Sequence, residues 1–134
     1  MQYPNFYNEI ESIKLKDELS EVLGAFDDGI IEYTYLDVVK AAGHSCPTVA
    51  GAFIVTLVGI KELYKEDLPK RGEVKVSFKE NCSQGTTGVI ANVITQITGA
   101  TQNYGFKGLN GKFKRYGLMD FNQNISAPIK LIRT

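Results

Sequence analysis

The chain has 134 residues, with 15 Lys+Arg against 15 Asp+Glu, one His, two Cys and no Trp. That length fits one compact domain, and an apolar fraction of 43% suits a globular protein rather than a disordered tail. Zero net charge argues against a coat for nucleic acid or an anionic membrane, two Cys are too few for a disulfide-stapled scaffold, and one His excludes HExxH and paired-histidine zinc sites.

Phe6, Ile10, Ile13, Leu19, Val22, Leu23 and Phe26 follow helical spacing, which predicts an amphipathic helix over 8–23 stopped by Gly24. Asp27-Asp28-Gly29 reads as a turn, 30–34 as a short strand and 36–42 as a brief helix broken at Gly43. Pro47 suits the first position of a helix expected over 47–64. Within it, residues 49–60 form an apolar run of 12, shorter than the roughly 20 a bilayer span needs, so an enclosed core helix is expected. Residues 73–80 alternate as a strand, 81–85 form a loop, and 86–97 read as a helix ended by Thr98-Gly99. Beyond Thr101, four glycines punctuate a loop, followed by strands near 112–115, 118–121 and 129–132. No repeat or linker divides the chain. This order predicts a single α+β domain over 1–134, its mainly antiparallel sheet packed against a long buried helix and flanking helices.

Charge is balanced in total but not along the chain. Residues 1–37 hold nine acids and two bases, whereas 101–134 hold six bases and one acid. An acidic helix and a basic hairpin that attract weakly would explain this. A basic pocket near the C-terminus, taking a small anionic ligand, is the sharper reading. Met1–Asn5 lacks a basic region and apolar core, so no leader is expected. A reduced cytoplasmic setting follows, with no nucleic-acid or membrane partner.

The strongest chemical pattern is Gly43-His44-Ser45-Cys46-Pro47 together with Cys82. Both cysteines stand just ahead of expected helices, where free N–H groups and the helix dipole favour a thiolate. His44 is two residues from Cys46, and the 74–78 strand would carry Cys82 toward the same end. His44, Cys46 and Cys82 would then offer three soft metal ligands with a fourth position open, for zinc first, or for iron or haem iron. Metal-free chemistry is the other use: Cys46 as nucleophile, His44 as base, Cys82 as resolving thiol. A Cys46–Cys82 disulfide is a third. Glu80, just before Asn81-Cys82, is a further candidate for a base or a hydrogen-bond acceptor.

Gly43–Pro47 and the small-residue helix after it resemble the GHxCPG signature of the FmdE-like domain family, named after a component of formylmethanofuran dehydrogenase. Thr98-Gly99-Ala100-Thr101 is similar to that family's TGxT turn, and the resemblance spans roughly 30–121. It implies an α+β domain, a homodimer, and a Cys/His cleft able to hold a metal at His44, Cys46 and Cys82. With no further cysteines after Cys82, the C-terminal zinc finger that some members of that family carry is not expected here. The chain departs from the pattern at Ala42, Thr48 and Ala100.

The segment 103–112 is not a P-loop: five residues separate Gly105 from Gly111, and Phe113 stands where Ser or Thr must hold magnesium. It could instead form a flap over the Cys/His cleft, with Lys112 meeting an anionic group and Tyr104 or Phe106 stacking on a flat ligand. A metal- or metallocofactor-binding domain with a His/Cys/Cys cleft, related to small oxidoreductases and with turnover left open, is therefore the first expectation; a non-catalytic accessory or partner-binding module and metal-free thiol chemistry at Cys46 and Cys82 are the alternatives.

Overall fold

The computed structural model describes every residue, Met1–Thr134. A 3-10 turn (Asn5–Glu9) leads into strand β1 (Ile13–Lys16), short helix α1 (Glu18–Val22) and strand β2 (Ile30–Tyr33). Helices α2 (Tyr35–Ala42) and α3 (Pro47–Tyr64) follow, then β3 (Val74–Phe78), α4 (Thr87–Thr98), β4 (Met119–Asp120) and β5 (Ile129–Arg133). The α+β class and mainly antiparallel pairing are as expected. β1 and β2 form one antiparallel ribbon, and β3 lies between β4, parallel to it, and β5, antiparallel. α3 packs against α4 and β5.

The long helix expected over 8–23 does not form. Ile13-Lys14-Leu15-Lys16 also alternates with period two, and the strand pattern wins because β2 supplies a partner, Ile13 opposite Tyr33 and Lys16 opposite Ile30. Ile13 and Leu15 point into the core, and Lys14 stands opposite Glu32. Asp17 then ends the strand and starts α1, its Oδ1 accepting from the N–H groups of Leu19 at 3.0 Å and Ser20 at 3.2 Å. Val22, Leu23 and Phe26, expected on a buried face, are exposed.

The local signals at α2 and α3 hold. Thr34 and Asp37 form a reciprocal capping box, and Gly43 ends α2 in the left-handed conformation at φ 81°. α3 begins at Pro47 and is less enclosed than its composition suggests. Val49, Ala52, Phe53, Leu57 and Ile60 face the core, whereas Ile54, Val55 and Val58 face outward. Gly59 lets β5 approach: a Cβ there would stand 3.3 Å from Leu131. By length and composition α3 would also pass as a membrane span, but its buried residues are packed on protein.

The strand expected over 112–115 is also absent. Leu109 and Lys112 close a tight turn, and Phe113 sits at φ 66°, which no strand tolerates. Arg115 turns inward instead. Its Nη2 donates to Asp17 Oδ1 at 2.8 Å and its Nη1 to the Phe113 carbonyl at 3.0 Å. Arg71 reaches the same carboxylate through Nη1 at 3.1 Å, and donates from Nε and Nη2 to the Ile97 and Gln96 carbonyls at the end of α4. Asp17 is only 2% exposed and Arg115 7%. The acidic and basic ends of the chain thus meet in a buried ion pair rather than a loose surface attraction.

Removing one member of a buried pair strands the other charge. Asp17→Ala should therefore lower unfolding free energy by about 3–5 kcal/mol, read by urea denaturation. Asp17→Asn, which retains the cap, should recover part of that loss. A loss below about 1 kcal/mol for Asp17→Ala would show that the cluster does not anchor the fold.

Candidate thiol site at the start of helix α3

The turn between α2 and α3 is built by short-range geometry. Gly43 reverses the chain, His44 and Ser45 cross the gap, and Cys46 takes the N-cap position of α3 with extended backbone. Ser45 Oγ and Tyr35 OH share a 2.6 Å hydrogen bond. Tyr35 is itself buried and edge-on to Phe53, with ring centroids 5.7 Å apart. The turn is therefore fastened to the core through Tyr35.

Cys46 is half-buried and His44 exposed. The Cys46 thiol is held below its ordinary value, first by the backbone N–H of Val49; burial, the next largest effect, opposes this, and the N–H of Thr48 and His44 add smaller lowering effects. These N–H groups are the orphan donors of the first helical turn. His44 Nδ1 lies 3.2 Å from the Ala42 carbonyl. A carbonyl only accepts, so Nδ1 carries the proton in that bond and Nε2 holds the free lone pair of the neutral ring. His44 also lines a cleft of about 180 Å³ between α2 and α4, with Val38, Val93, Asn92 and Gln96 among its walls.

The other expected site residues lie elsewhere. Cys82 is exposed in the loop between β3 and α4, and both thiols are free. It does not cap α4, since Thr86 occupies that position. Its loop is held by Asn81, whose Oδ1 accepts from Ser83 N–H at 2.9 Å and Ser83 Oγ–H at 2.8 Å. No three His, Cys, Asp or Glu side chains are grouped so as to hold a metal ion. Glu80 is exposed, its main-chain carbonyl accepting from Asn122 N–H at 3.1 Å. Tyr104 is 71% exposed, Phe106 is exposed as well, and neither lines the His44 cleft. Lys112 lines a different pocket, beside Lys70–Glu73.

Two residues of consequence, Asp17 and Arg115, belong to no motif that the sequence displays. One signal was present. The chain has twelve Lys and only three Arg, and all three Arg are ion-paired: Arg71 and Arg115 with Asp17, Arg133 with Asp67. Arginine is favoured over lysine where a planar fork must satisfy several acceptors at once.

Comparison with protein-family models, with curated proteins and with solved structures gives no match. The likeness to the FmdE-like domain rests on the residues of Gly43–Pro47 and the TGxT-like turn alone.

The Tyr35–Ser45 bond should be measurable in stability. Tyr35→Phe should cost about 0.5–1.5 kcal/mol and speed amide exchange in 43–46. Ser45→Ala should add little on top of it, because both remove one bond. Full additivity of the two substitutions would show that they act separately.

Proposed function

We propose that this protein performs thiol chemistry, with Cys46 as the nucleophile and His44 as its electrostatic and proton-handling partner. The observation that carries this reading is the placement of Cys46 at the N-cap of an 18-residue helix with the chain's one histidine beside it. Half-exposure leaves the sulfur accessible, and the helix N-terminus favours the anion that attacks.

The natural class of reactant is a small electrophile, and a peroxide illustrates the balance. The thiolate attacks one peroxide oxygen, an S–O bond forms and the O–O bond breaks. The departing oxygen takes a proton from water or from protonated His44 and leaves as water or alcohol. Cys46 is oxidised by two electrons to a sulfenic acid and the peroxide is reduced. A thiol restores the cysteine by disulfide formation and exchange. Exposed Cys82 is available to a second protein molecule or to a small thiol for that step.

The pH dependence follows from the direction of the Cys46 shift. A lowered thiol is deprotonated at lower pH than an ordinary cysteine, so its reaction rate rises earlier as pH increases. In Cys82→Ser, where Cys46 is the remaining thiol, the midpoint of iodoacetamide alkylation should fall below about 8.5. Substituting His44→Ala in that background should move the midpoint up. A midpoint at or above the ordinary value in the folded Cys82→Ser protein would sink the proposal. Stoichiometric zinc or iron in untagged protein, lost in Cys46→Ala, would replace it with the metal-ligand reading.

A further inference from the structure

A pocket of about 490 Å³ opens beside the Asp17 cluster, with Arg71 and Arg115 in its lining. Six cationic side chains line it: Lys16, Lys70, Arg71, Lys112, Lys114 and Arg115. The side-chain carboxylates in the lining are Glu18 and Glu73, and Thr134 also lines it. Asp17 lies against the two guanidiniums as a third acid and is shared between them. With Lys16 held by Glu21, outside the lining, the side chains leave two positive charges uncompensated.

The cations fall into two groups. Lys16 pairs with Glu21, and Lys70 pairs with Glu18 at 3.1 Å. Lys112 and Lys114 pair with no carboxylate; Lys114 only covers the Tyr116 ring at 5.2 Å. Beneath them, the Arg115 Nε is buried and has no hydrogen-bond partner. Gly72 and Gly99, at φ 90° and 78°, enclose this guanidinium; a Cβ at Gly72 would collide with its Cζ. A guanidinium cannot shed its charge, and burial of an under-compensated cation is costly. An anion above it would offset that cost.

We propose that this pocket binds a small phosphate-bearing ligand, with Lys112 and Lys114 holding the phosphate over the Arg71–Arg115 floor. A phosphate monoester carries about −1.5 to −2 near neutral pH, which suits the charge surplus better than a single carboxylate does. The volume leaves room for more than the phosphate, and Phe113 and Leu118 supply apolar wall for the remainder. Phe113 and Asn110 hold left-handed backbone at φ 66° and 53° in the loop that carries Lys112. Such strain is tolerated where a loop must present its side chains in one arrangement.

The probes are inorganic phosphate and pyrophosphate, titrated calorimetrically at constant ionic strength. Saturable one-to-one binding is expected, tighter for pyrophosphate. Lys112→Ala with Lys114→Ala should weaken it about tenfold or more, with an unchanged circular dichroism spectrum. Lys79→Ala with Lys130→Ala, two bases outside the pocket, should leave it unchanged. Absence of saturable binding to either probe would overturn the site. Equal affinity in the Lys112/Lys114 variant, or an equal loss in the Lys79/Lys130 variant, would do the same.

Discussion

A single carboxylate organises this fold. Asp17 caps α1 with one oxygen and accepts Arg115 on that same oxygen, while its second oxygen takes Arg71. Arg71 carries the connection onward to the last carbonyls of α4, where a cation also complements the helix dipole. The main chain of Arg115 ties the glycine-rich loop together: its N–H donates to the Phe106 carbonyl, and its carbonyl accepts from Thr101. One end of the ribbon, the exit of α4 and the long loop therefore share one electrostatic centre. Two buried charges and a half-buried third are a poor source of net stability compared with apolar packing. What they do is join segments distant in sequence around one carboxylate.

The elements legible in the sequence are those decided locally. Gly43, Pro47 and Gly99 each mark a boundary through the backbone they require, and the structure places boundaries there. The alternation of Val74, Val76 and Phe78 likewise needs no distant partner to be read. The N-terminal segment fails that condition. Its apolar residues satisfy a period of 3.6 over 6–26 and a period of two over 13–16, and the choice between them is made by β2, fourteen or more residues away. The 112–115 segment fails for the same reason: Arg115 answers to a carboxylate 98 positions earlier.

The candidate sites divide in the same way. His44 and Cys46 are neighbours in sequence, and the turn that joins α2 to α3 keeps them neighbours in space. Cys82 depends on how β3 and its following loop are set against α3, which no local pattern specifies. The thiol site and the basic pocket also rest on different parts of the scaffold. Tyr35, through Ser45, fixes the first to the core, whereas Arg71 and Arg115, both paired with Asp17, line the second. The neutral total charge conceals this division, because the acidic N-terminal part contributes the buried counter-ion and the basic C-terminal part half of the cations around the pocket.

The separation of Asp17 from Arg115 also has a consequence for biosynthesis. A ribosome adding about 5–20 residues per second needs roughly 5–20 s to pass from one to the other. During that interval the residues of β2, α2 and α3 are added, while the Asp17 carboxylate lacks its closest counter-ion. Until Arg115 has been made, Asp17 has at most Arg71 and solvent to pair with. The ion-paired cluster is therefore completed late in synthesis.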